Sequence, residues 1–257
     1  LLDSIIIDKD YHGGYRNAGI KFGLDGSPQG RTAWLSKPYH ARPEGTPENY
    51  VAYPTYDSVL YKNRIKKMLS KGAQILVHAN GDAAIDLMID GVSDAIKENP
   101  TSDHRSVIIH AQLMREDQLD RSKELNIIPS YFSAHSFFWG DWHRLSFGDK
   151  RANFISPVRA TIDKSVPFTL HNDSPVVPPD MLRLISITVN RLTRSGYLLG
   201  ENQRATVMEA LYACTMGGAY QYFEENTKGS ITAGKYADLV ILSENPTKVP
   251  ADKINSI

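Results

Sequence analysis

Three short apolar runs, each stopping at a residue that can bind a cation, constrain this chain more than any other feature. Val107, Ile108 and Ile109 are β-branched and end at His110. Gln74, Ile75, Leu76 and Val77 end at His78, and Pro167, Phe168, Thr169 and Leu170 lead into His171, Asn172 and Asp173. Such runs, set between helical patterns, read as strands buried on both faces of a parallel sheet. The carboxyl end of such a strand opens into the crevice where α/β folds do their chemistry.

Helical patterns separate the runs. Asp57 can cap a helix to about Leu69, with Tyr61, Ile65, Met68 and Leu69 on one face. Residues 82–97 place Ile85, Met88, Val92 and Ile96 on one side. Further helices are expected over 116–125, 157–164 and 180–192, and from the capping box Thr206-Val-Met-Glu209 to about Phe223. Strands are expected at 4–7, 19–25, 74–77, 107–109, 126–129 and 168–170, with a turn at Gly13-Gly14. Residues 26–54 read as a long loop, and 130–154 as a loop dense in aromatics and histidine.

Alternating strands and helices imply right-handed βαβ units. His78 and His110 stand 32 residues apart, about one such unit. Strands 19–25 to 168–170 make five parallel strands, whereas a closed (β/α)8 barrel needs eight. The expected fold is therefore α/β of the (β/α)8 TIM-barrel type, partial, covering about strands 4–8. Residues 228–242 change character to a turn and strand stretch. The expected division is 1–226 as barrel and 227–257 as part of a small β-sandwich element.

Composition narrows the function classes. Lys plus Arg and Asp plus Glu are both 29 of 257 residues, and the resulting zero net charge argues against nucleic acid as the main partner. No apolar run approaches the roughly 18–20 residues of a membrane span. The single Cys214 excludes an intrachain disulfide and a Cys-rich zinc module, and leaves the compartment open. The first residues carry neither the basic leader nor the apolar core of a signal peptide, and Leu1 does not read as a natural start. The expected partner is a small-molecule substrate, with homo-oligomers left open.

His78 and His110 occupy corresponding points of consecutive units. Neighbouring strand ends lie about 4.8 Å apart, so two imidazoles there can reach one divalent ion such as zinc, manganese, iron or nickel. The alternative is two satisfied core histidines. Asp173, before Ser174-Pro175, can serve as ligand and proton acceptor or as a turn residue. Lys21 lies in an apolar strand and shares a face with Gly23 and Asp25. It reads either as a lysine snorkelling to solvent or as a carboxylated lysine bridging two metals. His135, in the loop with Trp139, Trp142 and His143, is a substrate contact or part of a packed aromatic cluster. Arg31 reads as a surface arginine or, less simply, a substrate contact, and His12, His40 and His104 read as solvated loop residues.

These residues stand in recognisable motifs. Ile20-Lys21-Phe-Gly-Leu-Asp-Gly-Ser with Gly30-Arg31-Thr-Ala, Val77-His78-Ala-Asn-Gly-Asp-Ala-Ala, Ile109-His110-Ala-Gln, Asn172-Asp173-Ser-Pro-Val and Lys228-Gly-Ser-Ile-Thr-Ala-Gly-Lys-Tyr-Ala-Asp238-Leu-Val-Ile-Leu resemble the amidohydrolase superfamily. Within it they resemble amidohydrolase family 3, the YtcJ-like branch, over about residues 19–246, its carboxyl-terminal half. The resemblance implies a (β/α)8 barrel beside a β-sandwich and one or two divalent metals, zinc first. It implies attack of metal-bound hydroxide on an amide or other non-peptide C–N bond. It makes Lys21 the bridging ligand, His78 and His110 ligands of one metal, and Asp173 ligand and proton shuttle. Alternatives are a one-metal deaminase and a non-catalytic or regulatory protein. The family's His-x-His pair occurs nowhere in the chain, and the first three barrel strands are expected to be missing. Many relatives have Gly-Ser where this chain has His171-Asn172, which adds His171 as a candidate substrate-binding residue.

Overall fold

A computed structural model describes residues 2–101 and 103–257. The chain opens with a hairpin of β1 (Asp8–His12) and β2 (Tyr15–Asn17). Gly13 and Gly14 turn it at positive φ, which costs glycine little. The strand expected at 4–7 is absent: Leu2–Ser4 is a 3-10 turn, and pairing starts only where two segments flank the Gly-Gly turn.

The α/β body follows as β3 (Gly19–Gly23), α1 (Ser58–Ser70), β4 (Gln74–Ala79), α2 (Asp82–Glu98), β5 (Val107–His110), α3 (Glu116–Glu124) and β6 (Ile128–Tyr131). Next come α4 (Ala134–Phe138), α5 (Gly140–Phe147), α6 (Asp149–Ala152), α7 (Val158–Asp163), β7 (Thr169–Leu170), α8 (Met181–Asn190), α9 (Val207–Cys214) and α10 (Met216–Gln221). Strands β3 to β7 form one five-stranded parallel sheet in chain order. This is the topology of consecutive units of a (β/α)8 barrel.

Local chemistry accounts for the elements. The Asp57 carboxylate accepts from the Val59 and Leu60 amides at 3.0 Å and starts α1. Tyr61, Ile65, Met68 and Leu69 then bury one face, as the spacing requires. Helix α2 buries Ile85, Met88 and Val92, and the two helices pack together over the sheet. Strand register sorts the sheet into two faces. Phe22, Val77 and Ile108 share a row that packs into the helical core. Gly23, His78, Ile109, Ser130 and Thr169 share a row on the opposite, inner face.

The long loop 26–54 is ordered by close backbone approach. A Cβ at Gly81 would stand 1.9 Å from the Trp34 carbonyl oxygen, so only glycine lets the loop seat on the β4–α2 turn. Three expectations shift. The strand expected at 126–129 lies at Ile128–Tyr131. Residues 130–154 form three short helices rather than a loop, because pieces of four to eight residues show no 3.6-residue apolar period. The helix expected to run to Phe223 breaks at Thr215 (φ −116°, ψ −84°), where Gly217 passes close to the Phe168 carbonyl.

The expected start of a β-sandwich is not seen as strand. Residues 227–257 contain no ladder, and Ile231, Val240 and Ile241 are 91%, 84% and 98% exposed. A strand needs partner strands to persist, and none of the described residues supplies one. A 3-10 turn, Ala251–Ser256, docks instead on α8 through buried Ile254 and the Asn190 amide, which donates to Ala251 O at 2.7 Å. No described helix is long and apolar enough to cross a membrane.

Candidate metal centre

The histidines gather where β4, β5 and β7 end. His78 lies within β4 on the inner row. Strict alternation would put His110 in the row of Ala79, Tyr131 and Leu170. Instead His110 and Ala111 take left-handed backbone, φ +77° and +47°, and the imidazole lies against the inner-face histidines. Non-glycine residues in this region carry strain that surrounding structure must offset, and such strain clusters at functional sites. Asp173 shares the feature at φ +57°, with its carbonyl accepting from Val176 N at 2.9 Å in a turn.

The rings form a chain. His110 Nε2 is 3.0 Å from His78 Nδ1, and His171 Nε2 is 3.2 Å from His110 Nδ1. One ligand atom each from His110, His171 and Asp173 falls within a mutual 4.8 Å. Donor atoms about 2.1 Å from one ion stand roughly 3–4 Å apart, so the set is about an ångström from closing on a cation. The donor types, two imidazole nitrogens and a carboxylate oxygen, suit a borderline divalent ion such as zinc. Convergence of His78 with His110 follows the expectation. His171 enters the tightest ligand group and His78 does not.

Burial keeps the His110 and His171 rings neutral, as ligation requires. Burial pushes His110 well below the usual imidazole range, with His171, His78, His135 and Lys21 adding repulsion. Burial also brings His171 down to about 3, Lys21 contributing next. For Asp173 burial raises the carboxyl, opposed by Lys21 and His78. The Lys21 side chain is solvent-exposed and lies near enough to bias all three groups.

Asp25 is a buried residue that the sequence placed on a face with Lys21 and Gly23 but gave no role. Its carboxylate accepts from the amides of Trp34 (2.9 Å), Asn80 (3.0 Å) and Gly81 (2.8 Å). It stands 3.5 Å from His78 Nε2, which also lies 3.1 Å from Gly26 O and Asn80 Nδ2. Burial lifts the Asp25 carboxyl to about 6 despite those amides and His78. Its period-2 position after Lys21 and Gly23 was the available signal.

His135 is buried in α4, its ring 6.3 Å from His110 and 5.5 Å from His143, between Phe132 and Trp139. Burial depresses His135 far below its usual range and brings His143 to about 3. The Arg31 contacts lie elsewhere: Nε donates to Ser146 Oγ at 3.2 Å, and the guanidinium covers Trp142 at 4.6 Å. His104, expected to be solvated, is buried between Ser106 Oγ (2.7 Å) and Leu125 O (2.8 Å). A cavity of about 640 Å³ lies among Leu35, Leu113, Met114 and Phe147, and its lining contains none of the clustered histidines. Phe147, which lines it, stacks on His143.

Comparison with known proteins agrees with this architecture. A family model described as "Amidohydrolase family" matches residues 10–257. YtcJ of Bacillus subtilis (strain 168), which carries an amidohydrolase name, is 27% identical over 88% of this chain and 42% of its own. The N-substituted formamide deformylase of Arthrobacter pascens is 26% identical over 72% of this chain and 34% of its own. The chain thus spans less than half the length of these curated relatives. Among solved structures, a metal-dependent hydrolase of Pyrococcus horikoshii OT3 superposes with TM-score 0.81 at 27% identity, covering 97% of this chain and 49% of that one. Its Pyrococcus furiosus counterpart gives TM-score 0.79 at 28% identity, covering 94% and 47%.

Proposed function

The chain belongs to the amidohydrolase family, and from that premise we propose that it carries the metal-binding and proton-transfer half of a metal-dependent hydrolase for amide or other non-peptide C–N bonds. The observation that carries the reading is the meeting of His110, His171 and Asp173 within 4.8 Å at the strand ends, with His78 in contact. The family and the metal-dependent hydrolases it superposes on support hydrolysis as the reaction class. The C–N bond draws support from the formamide deformylase relative. The substrate is a small molecule.

A divalent cation, zinc the first candidate, would polarise the scissile carbonyl and acidify water. His110 and His171, through neutral imidazoles, and the Asp173 carboxylate would hold it, with His78 against His110 and Lys21 at its flank. Asp173 takes the proton of the attacking water as its oxygen bonds to the carbonyl carbon. It returns that proton to the leaving nitrogen as the C–N bond breaks, so that the amine departs neutral. The raised Asp173 carboxyl suits a group that must both accept and release a proton. His135, its ring 6.3 Å from that of His110, and Arg31 are proposed as the substrate-side residues.

Elemental analysis and zinc titration of the 257-residue chain test the reading. One zinc per chain is expected, lost in His110→Ala and in His171→Ala while the fold is retained. A folded chain that takes up no divalent ion overturns it.

A further inference from the structure

The inner row that carries His78 also carries Ser130 and Thr169, and these continue the histidine chain into the interior. His171 Nδ1 is 3.0 Å from Ser130 Oγ, Ser130 Oγ is 2.7 Å from Thr169 Oγ1, and Thr169 Oγ1 is 2.8 Å from Gln221 Oε1. Ser130, Thr169 and Gln221 are all buried. Gln221 is itself fixed: its backbone carbonyl accepts from Gln74 Nε2 at 2.7 Å, and the same Gln74 amide reaches Arg105 O at 2.8 Å.

Proton counting gives this relay one polarity. A carbonyl oxygen can only accept, so the Thr169 hydroxyl spends its single proton on Gln221 Oε1. Thr169 can then only accept from Ser130, whose proton therefore points to Thr169. Ser130 turns lone pairs toward His171, so His171 must carry its proton on Nδ1. Its Nε2 is left bare, facing His110 Nδ1 at 3.2 Å.

We propose that Gln221 and Thr169 are positioning residues that act through Ser130 to hold neutral His171 in the Nδ1–H tautomer, presenting Nε2 as the second imidazole ligand of the proposed metal site. Ligand histidines depend on such outer partners to fix ring and tautomer, and losing one typically weakens metal affinity about 10–100-fold. The sequence explains why the relay is particular to this chain. Position 171 is histidine where the resembling motif has a small residue, and a nitrogen ligand there needs a partner behind it.

The proposal rests on the metal-site reading for its purpose but not for its test. Long-range ¹H–¹⁵N spectra of the ion-free, ¹⁵N-labelled chain read the His171 tautomer directly. The wild type should show Nδ1–H. Thr169→Val keeps the shape and removes the hydroxyl, so His171 should move toward Nε2–H, with zinc affinity about 10–100-fold weaker. Thr169→Ser should restore both readouts, and Gln221→Met should repeat the Thr169→Val result from the far end of the relay. An Nε2–H tautomer in the wild type, or one unmoved in both Thr169→Val and Gln221→Met, overturns the relay even if zinc binds. Failure of zinc to bind while the tautomer responds as stated overturns the metal reading instead.

Discussion

Among single residues, the division of labour between Asp173 and His110 makes the sharpest prediction. Asp173→Asn keeps the shape and one oxygen of the carboxylate, but the amide cannot take a proton from water or return one to a leaving nitrogen. In the catalytically competent protein, turnover should fall about 10²–10⁴-fold with substrate binding largely spared. His110→Ala removes the imidazole that contacts both His78 and His171. It should lower metal content first and activity as a consequence, with partial rescue by excess divalent ion. Bound metal by elemental analysis and amine release measure the two separately. Near-normal turnover of Asp173→Asn at full metal content would leave Asp173 as the turn residue its bond from Val176 already makes it. His78, His110 and Asp173 were legible because each ends a strand-like run, and that position fixes where a side chain opens. The weight of His171 and Asp25 was not, because burial and amide contacts come from residues distant in sequence, such as Gln221 and Trp34.

For whole elements, legibility followed length and caps. Helices α1 and α2 carry clear apolar stripes, and the Thr206–Glu209 capping box appears with both of its bonds. The helices of 134–152 were hidden because none is long enough to show a period. The start of α9 also yields a pH prediction. Glu209 takes a bidentate bond from Arg159 at 2.6 and 3.1 Å, and its Oε2 accepts from Thr206 N at 2.7 Å. Arg159, with Thr206 assisting, holds the Glu209 carboxyl down at about 2. A carboxyl depressed on folding stabilises the fold above its unfolded pKa, near 4.3, and loses that contribution as pH falls through the folded value. Glu209→Gln keeps an acceptor for the cap but removes the charge. It should cost about 0.2–1 kcal/mol at pH 7, the range for surface ion pairs. That difference should shrink between about pH 4 and pH 2 in denaturant melts. A cost that stays constant over that range would assign the effect to the cap rather than the ion pair.

For the molecule as a whole, the sheet order β3-β4-β5-β6-β7 leaves β3 and β7 as edges. The inner face beside β3 is open enough to expose Lys21 and leave Leu76 and His78 half-buried. Parallel sheets are ordinarily covered on both faces, and unpaired edges invite pairing with another chain. The five strands do not close into a barrel, and the exposed Leu239, Val240 and Ile241 add an apolar stretch without a partner ladder. The parallel units themselves were legible in the run lengths. The missing ladder at 228–242 was not, since an apolar alternation records what a segment is built to pair with and not whether the partner is present. These exposed surfaces predict that the 257-residue chain self-associates. Light scattering should give a mass above the 28.7 kDa of one copy, rising with concentration. Replacing Val240 and Ile241 together by lysine should lower that mass, because a charged segment resists edge pairing. A double variant that associates as strongly as the wild type would move the contact to the open face of the sheet beside β3. A monodisperse, heat-stable monomer of the unaltered chain would show that neither the edges nor the apolar stretch drives association.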